Sequence, residues 1–292
     1  TKGYIMIYAS ARDWNEAAHK RVALFGMSGL GKTYLSDMLR DGGDWFHYSV
    51  DFRIGTRYMG EHIVDNFKRE AMKNPFLRNL LRSDSIYIAS NITFENHAPL
   101  SSYLGKPGDP EKAGISLDEY INRQRQHRMA EIEATKDTAL FVHKALDIYD
   151  YDHFISDTSG SICEVCDPED PSDPVLTALS NAVLPVWIRG TDDHTDELLR
   201  RFSAAPKPMY YNEEFLRRKW AEYLSVRDIT ESKVDPDDFI RWGYRELLQH
   251  RLPIYAAMAK NWGVTVEADE VRDIRDAQDF TALIAKAIDR NA

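Results

Sequence analysis

The feature that most constrains the fold of this chain is the segment Gly26-Met-Ser-Gly-Leu-Gly-Lys-Thr33, which matches the phosphate-binding loop pattern G-x-x-x-x-G-K-[ST] at every fixed position. An apolar run of buried-strand type precedes it at residues 21–25, and a stretch of helical spacing follows it at residues 34–40. Glycines let backbone N–H groups surround an oxyanion, and a helix N-terminus adds positive potential. The segment therefore predicts a nucleoside triphosphate site of the Walker A type.

The residues at the end of the loop indicate the cofactors. Lys32 supplies a cation that reaches the terminal phosphates, and the hydroxyl of Thr33 can ligate a hard divalent cation. We therefore predict ATP and Mg²⁺. The residues predicted to bind the nucleotide are Gly26, Met27, Ser28, Gly29, Leu30, Gly31, Lys32, Thr33 and Tyr34.

Short apolar runs recur along the chain with helical stretches between them. They lie at residues 46–50, 153–156, 183–188 and 263–267. Strands that alternate with helices pair in parallel, and helices then cover both faces of the sheet. We therefore expect an α/β chain with a three-layer P-loop NTPase fold, a parallel sheet, helices on both faces and a helical insertion.

The insertion is predicted at about residues 60–149, with a helix near 61–72 and a long helical stretch at 117–149. One face of that stretch is expected to be buried, and Gln124 and Arg128 interrupt it. A cation on such a face must reach solvent or meet an anion. Arg128 therefore either points into a ligand cleft or belongs to a solvated face, as Arg123 and Arg125 are expected to do. The residues assigned to the buried face are Leu117, Ile121, Ile132, Ala139, Val142, Leu146 and Tyr149.

Two aspartates follow predicted strands directly, at the edge where ligands collect in open parallel sheets. Asp51 can take a proton from an acceptor hydroxyl or orient it toward the γ-phosphate. Its alternative role is a helix cap or an ion pair with Arg53 or Arg57. Asp157 can hold Mg²⁺, and its alternative role is a cap of the following helix. We predict Lys32, Asp51 and Asp157 as catalytic residues and Thr33 with Asp157 as the metal site.

A lid is predicted at about residues 198–212, where a helix over 192–202 ends in Arg200 and Arg201 and a Pro-punctuated segment follows. A cation in a closing lid stabilises charge on a transferring phosphoryl group, so Arg201 is a further catalytic candidate. Charge compensation at a helix C-terminus is the alternative.

The two cysteines, Cys163 and Cys166, form a C-x-x-C pair. A redox dithiol or half of a zinc site would have this spacing, but a second cysteine pair or a matching histidine pair is missing from the sequence. We therefore expect two thiols on a helix that follows a strand.

Composition narrows the class of partner. The chain has 292 residues with 37 basic and 47 acidic side chains, a net charge of −10. This balance disfavours nucleic acid and anionic membrane surfaces and favours a small anion bound in a local basic pocket. An apolar run of membrane-span length and a signal-peptide arrangement are both missing, so we expect a cytoplasmic protein. A protein partner that binds the 60–149 insertion is a further possibility.

The end of the chain resembles the last quarter of shikimate kinases and related small-metabolite kinases. The similar part is residues 247–259, Leu-Leu-Gln-His-Arg-Leu-Pro-Ile-Tyr-Ala-Ala-Met-Ala, with a strand at 264–266 and a final helix at 279–288. The resemblance implies a P-loop kinase-like domain over 20–292 after an N-terminal extension at 1–19. It also implies that Asp51 contacts the acceptor hydroxyl and that Arg251 contacts the acceptor carboxylate.

The chain departs from that family on the acceptor side. Thr158, Ser159 and Gly160 stand near the position of the family's glycine triplet, and Arg53 stands where a second aspartate is usual. A larger, phosphorylated or macromolecular acceptor would suit the additional cations. The predicted acceptor-binding residues are Asp51, Arg53, Arg57, Arg128, Gly160 and Arg251.

The function predicted from these features is ATP- and Mg²⁺-dependent transfer of a γ-phosphoryl group to the hydroxyl of a small anionic metabolite. Two alternatives stay open. A P-loop ATPase switch regulated by a partner would use the insertion as its moving part. A nucleoside or nucleotide kinase would stack a base on Tyr87, Phe94 or Tyr103, although large apolar residues more often serve packing.

Overall fold

The computed structural model describes residues 6–291, in which five strands form one sheet. The strands are β1 (Arg21–Phe25), β2 (Trp45–Ser49), β3 (His153–Asp157), β4 (Leu184–Arg189) and β5 (Val264–Glu267). Their order across the sheet is β2-β3-β1-β4-β5, and every neighbouring pair is parallel. Helices surround the sheet, as the buried runs in its central strands require. The predicted α/β P-loop NTPase fold is confirmed.

The chain divides into two compact units. The sheet unit consists of the residues up to Val50, Glu131–Ala205 and the residues from Gly243 onward, and it contains all five strands. The helical unit consists of Asp51–Ala130 and Pro206–Trp242. The bounds predicted for the insertion at 60–149 and for the lid at 198–212 stay predictions.

The helices of the sheet unit are α1 (Ala11–Glu16), α2 (Lys32–Asp41), α8 (Thr138–Asp147), α9 (Pro174–Ala182), α10 (Asp192–Ala204), α13 (Ala268–Arg272) and α14 (Ala277–Asn291). Those of the helical unit are α3 (Val50–Arg53), which starts at the unit boundary, α4 (Gly60–Ala71), α5 (Pro75–Arg82), α6 (Ala98–Leu104) and α11 (Glu213–Arg227). The unit boundaries at Ala130 and Trp242 fall inside α7 (Leu117–Lys136) and α12 (Pro236–Trp262). In residues 6–291, none of these helices is long and apolar enough to cross a membrane.

The predicted N-terminal extension, residues 1–19, includes α1; residues 1–5 lie outside the described part of the chain. The Ser10 side chain caps α1 by accepting a hydrogen bond from the backbone N–H of Asp13. Trp14 is fully buried, and its indole N–H donates to the carbonyl of Thr281 on α14 at 2.9 Å. This contact fixes α1 to the last helix of the sheet unit.

The helical unit has an aromatic core of its own. The Trp220 and Tyr223 rings of α11 meet the edge of Phe239, at centroid distances of 4.8 and 5.3 Å. The Asn212 side chain caps α11 by accepting from the backbone N–H groups of Glu214 and Phe215. The ring contacts join α11 to the first turns of α12.

Three details differ from the sequence-based expectations. The second strand is Trp45–Ser49 rather than 46–50, because Val50 already belongs to α3. The helical stretch predicted at 117–149 is two helices, α7 and α8, interrupted at Asp137. Cys163 lies in a 3-10 helix, Ile162–Glu164, but Cys166 lies beyond its end, and both cysteines are free thiols.

The face predicted as buried along 117–149 is also wrong in part. Ile121 and Val142 are buried, but Tyr149 is 52% exposed. The buried face of α7 instead carries polar side chains, including Gln124 and Glu131, which are 2% and 0% exposed. Periodicity of apolar residues does not detect a face of this kind.

Candidate functional site

The phosphate loop connects β1 to α2 in the sheet unit, as predicted. Gly26, Gly29 and Gly31 have φ angles of 130°, 84° and 98°, a region that side-chain-bearing residues rarely adopt. A Cβ added at Gly26 would lie 2.8 Å from the carbonyl oxygen of Ile188 on β4. The loop is therefore held close to the end of β4, and its conformation depends on glycine.

Lys32 begins α2 and turns back over the loop. Its ammonium donates to the carbonyl oxygens of Gly26 and Met27, both at 2.9 Å, and the residue is only 6% exposed. Gly31 caps α2 with a left-handed backbone, so the N–H groups of the first turn border the same loop. This arrangement concentrates positive charge and backbone donors in one concave segment, which is the chemistry that a polyphosphate requires.

Thr33 and Asp157 meet at the edge of the sheet. Strand β3 lies beside β1, with Asp157 in register with Leu24. The Thr33 hydroxyl donates to Oδ2 of Asp157 at 2.7 Å, and Asp157 is 8% exposed. A hydroxyl and a carboxylate are oxygen ligands of the type that Mg²⁺ prefers. Within residues 6–291, no group of three or more His, Cys, Asp or Glu side chains could hold a metal ion by itself. Any Mg²⁺ bound here would therefore depend on phosphate and water oxygens as well.

The loop after β3 brings together two of the predicted acceptor residues, Gly160 and Arg251. Nη1 of Arg251 on α12 donates to the carbonyl of Gly160 at 3.0 Å, and Nε donates to Oε1 of Glu164 at 2.8 Å. The hydroxyl of Tyr255 donates to the same Gly160 carbonyl. Arg251 thus contacts a buried carboxylate of its own chain as well as the loop.

The buried ion pair of Glu164 and Arg251 determines the charges beside this loop. Burial acts to raise the pKa of Glu164, but the Arg251 guanidinium outweighs it and the pKa is lowered. Burial likewise acts to lower the pKa of Arg251, and the Glu164 carboxylate more than offsets it, so that this pKa is raised. Both groups are therefore charged at neutral pH and largely neutralise each other.

Sequence reasoning missed Glu131 and Glu164 as members of this network. The Ser161 hydroxyl donates to both carboxylate oxygens of Glu131, at 2.9 and 2.8 Å, and also contacts the Ser159 hydroxyl at 2.6 Å. The buried face of the helix that carries Glu131 is predicted from apolar residues, and Glu164 lies inside the C-x-x-C segment, so neither carries a signal of its own.

Arg201 lies on α10 with an ion-pair partner. Its Nε donates to Oε1 of Glu197 at 2.7 Å, and Arg200 contacts the same carboxylate. The side chain hydrogen bonds from the two arginines, above all from Arg200, lower the pKa of Glu197 to about 2. The Arg201 side chain is 64% exposed, so the predicted lid cation is solvated and locally paired.

The remaining predicted acceptor residues belong to the helical unit. Asp51 lies in the first turn of α3, directly after β2, and is half-buried. The Arg53 guanidinium lies 5.6 Å from the centre of the Tyr58 ring. Arg57 lies in a π-helical turn, Ile54–Tyr58, and both Arg57 and Arg128 are exposed. The roles of these residues stay predictions.

The three aromatic residues considered for a base differ in environment. Tyr103 is buried, and its hydroxyl donates to Oε1 of Gln126 at 2.5 Å. The Phe94 ring meets the edge of Phe52 at a centroid distance of 4.9 Å. Tyr87 is 89% exposed. Tyr103 and Phe94 therefore serve packing within the helical unit.

Comparison with known proteins finds likeness in structure but no match in sequence. No protein-family model matches the sequence, and no curated protein matches it significantly. A crystal structure of shikimate kinase from Bacteroides thetaiotaomicron aligns with 93% of this chain and 95% of its own, at 15% identity and a TM-score of 0.35. A TM-score this low does not support a fold by itself, and the fold of this chain is defined by its own parallel sheet and by the loop after β1.

Proposed function

We propose that this chain is an ATP- and Mg²⁺-dependent phosphotransferase that transfers the γ-phosphoryl group to the hydroxyl of a small anionic metabolite. The observation that carries the proposal is the 2.7 Å hydrogen bond between Thr33 and Asp157. It joins the hydroxyl at the end of the phosphate loop to an acid at the end of the neighbouring strand, the pair of groups that hold the metal ion in P-loop NTPases.

The residues present fit a nucleoside triphosphate. A Cβ at Gly29 would lie 2.9 Å from Cδ2 of Leu198, so a side chain at this position of the loop would crowd α10. The Lys32 ammonium would exchange its hydrogen bonds to two carbonyl oxygens for hydrogen bonds to phosphate oxygens. Thr33 and Asp157 would hold Mg²⁺. Bound Mg²⁺ would neutralise charge on the transferring group.

The chain's own groups supply the remaining requirements of transfer. The acceptor oxygen forms a bond to the γ-phosphorus as the bond to ADP breaks, and the hydroxyl proton passes to the Asp51 carboxylate or to water. The cations Arg53, Arg57 and Arg128 would attract the anionic acceptor, and Arg201 would serve as the lid cation. Such transfer depends mainly on positioning and electrostatics, so no covalent intermediate with the protein is needed.

A second candidate, a P-loop ATPase regulated by a partner, is favoured by one observation. Arg251, which the family resemblance assigns to an acceptor carboxylate, already pairs with the buried Glu164 at 2.8 Å. An arginine neutralised in this way binds a second carboxylate less strongly. Hydrolysis without a phosphorylated product would identify this candidate.

The experiment that tests the proposal incubates the purified chain with Mg-ATP and a pool of cytosolic metabolites. ADP formation is measured in the same sample as phosphorylated products, which mass spectrometry detects. Lys32→Ala should lower turnover by at least about 100-fold, as loss of one preorganised charge-stabilising group does. Asp51→Asn should abolish the phosphorylated product.

A matched control is Lys20→Ala. The Lys20 ammonium also donates to two backbone carbonyls, those of Asn15 and Ala17, but it precedes β1 and lies at the opposite end of that strand. Turnover of Lys20→Ala should stay within about twofold of wild type, since surface changes away from a site have small effects. Full ATP turnover by Lys32→Ala would refute the phosphate-loop assignment.

A further inference from the structure

Residues 157–161, which are the last residue of β3 and the loop after it, are anchored at both ends beside the phosphate loop. At its start, Thr158 donates to the carbonyl of Leu24 on β1 through both its N–H, at 3.1 Å, and its hydroxyl, at 2.8 Å. At its end, Ser161 donates to the buried carboxylate of Glu131. Between these two points stands Gly160, which has no side chain with which to hold its position.

Gly160 lies close to the phosphate loop. A Cβ added there would lie 2.9 Å from Oγ and 3.6 Å from the backbone nitrogen of Ser28. The position of the Gly160 peptide therefore determines how closely residues 157–161 pack on the loop. Asp157, three residues earlier, is the group that accepts from Thr33.

Two buried side chains of α12 hold this peptide. Nη1 of Arg251 and the hydroxyl of Tyr255 both donate to the Gly160 carbonyl, which leaves neither lone pair of that oxygen to another group. The two residues are four apart on one helix, so they project from the same face. The Tyr255 ring lies 6.2 Å from Phe25 and 6.4 Å from Trp187, centroid to centroid, which places it against the ends of β1 and β4.

Glu164 fixes the arginine in turn. Its side chain is fully buried, it accepts from Nε of Arg251 at 2.8 Å, and Nε2 of His250 lies 3.3 Å from its second oxygen. A guanidinium bound on one edge by a buried carboxylate keeps a fixed plane, so its Nη1 stays directed at the Gly160 carbonyl. Glu164 therefore holds the Arg251 guanidinium in place beside Tyr255.

We propose that Arg251, Glu164 and Tyr255 are positioning residues that hold the Gly160 peptide against the phosphate loop and thereby set the Asp157 carboxylate for Mg²⁺-dependent nucleotide binding. The proposal rests on the proposed function, because it concerns the same nucleotide site. It assigns Arg251 a role different from the one that the family resemblance implies. An acceptor carboxylate would have to compete with Glu164, which is already in place and already buried.

The test measures the affinity of the full chain for ADP and for the β,γ-imido analogue of ATP by isothermal titration calorimetry. Each titration is done with Mg²⁺ and with a chelator, and the ratio of the two dissociation constants gives a magnesium factor. Tyr255→Phe removes one hydroxyl and keeps the packed ring. It should lower the magnesium factor about three- to tenfold, as expected for one hydrogen bond, with little change in binding under chelation.

A second variant tests the buried ion pair of Arg251 and Glu164. Arg251→Met alone would leave the Glu164 charge buried without a cation, which is expected to damage the fold. The double variant Arg251→Met with Glu164→Gln removes both charges together, and it should lower the magnesium factor at least as far as Tyr255→Phe does. The combination of all three changes should add little, because the residues act on one carbonyl.

Tyr8→Phe is the matched control. Tyr8 is also buried, and its hydroxyl also donates to a backbone carbonyl, that of His19. The same hydroxyl accepts from the backbone N–H of Arg21, which starts β1 at the end away from the phosphate loop. Its loss should leave the magnesium factor at the wild-type value.

The outcomes are separable. A wild-type magnesium factor in both Tyr255→Phe and the double variant overturns the positioning role and leaves the proposed function intact. Equal weakening of binding with and without Mg²⁺ overturns it too, because that result reports general structural damage. Failure of the wild-type chain to bind nucleotide overturns the proposed function and this inference together.

Discussion

Replacing Gly26 by alanine tests whether the phosphate loop is held as closely to the sheet as the structure indicates. The substitution meets two separate obstacles. The φ angle of 130° is unfavourable for any residue with a Cβ, at a cost of at least about 1–2 kcal/mol. The added Cβ would also lie 2.8 Å from the carbonyl oxygen of Ile188 and 3.1 Å from Cδ1 of Trp187. Because a backbone oxygen of a central strand cannot turn away, this overlap should cost a further 1–3 kcal/mol, roughly.

Gly43 offers a control that separates the cost of the backbone conformation from the cost of the steric overlap. Its φ angle is 93°, but a Cβ added there would have no heavy atom within 4 Å. Gly43→Ala should therefore cost only the backbone component, about 1–2 kcal/mol. Both substitutions reduce the freedom of the unfolded chain equally, so that contribution cancels in the comparison.

The assay is urea unfolding of the wild type and the two variants, with the free energy of unfolding extrapolated to water. Gly26→Ala should lose about 2–5 kcal/mol, which is a large part of the stability of an ordinary domain. Nucleotide affinity should fall as well, because the loop must shift to relieve the overlap. An equal loss in Gly26→Ala and Gly43→Ala would refute the close approach between loop and β4.

Two further predictions concern the sheet unit. Trp14→Ala should lower the free energy of unfolding by about 3–5 kcal/mol, whereas Arg12→Ala on the exposed side of the same helix should change it little, as denaturant titrations would show. Burial acts to raise the pKa of Glu270, but hydrogen bonds led by that from Arg290, with Lys286 adding to it, hold the pKa at about 2. The folded-state pKa of Glu270 lies below its unfolded value. The stability that the Glu270 carboxylate contributes should therefore be fully present above about pH 4.5 and decline as the pH falls toward 2. Glu270→Gln should show a flatter decline over that interval, and a decline as steep as that of wild type would contradict the assignment.

The parts of the fold that follow from local rules were predictable from sequence. The phosphate loop, its flanking strand and helix, and the strands ending near Asp157 and Arg189 were all placed to within a residue or two. Each depends on neighbours in the chain: glycines for the turn, an apolar run for a strand, a helical spacing for α2. The sheet then places β3 beside β1, and this brings Thr33 to Asp157, which are 124 residues apart in the chain.

The buried polar contacts were not predictable, because their partners are distant in sequence and leave no local pattern. Gln124 is buried since its amide donates to the carbonyl of Met209 at 3.2 Å and its oxygen accepts from the N–H of Tyr211 at 2.8 Å. A count of apolar residues treats such a glutamine as an interruption of the face. Arg251 and Glu164, 87 residues apart, escape detection for the same reason.

The residues after β3 are held by hydrogen bonds on either side of one glycine. Thr158 and Ser159 precede Gly160 there. Both side chains are engaged, Thr158 with the Leu24 carbonyl at 2.8 Å and Ser159 with the Ser161 hydroxyl at 2.6 Å. Only at Gly160 does the phosphate loop approach so closely that a Cβ would force the Ser28 hydroxyl aside. The missing side chain at Gly160 therefore permits the approach, and hydrogen bonds at the neighbouring residues hold the segment in place.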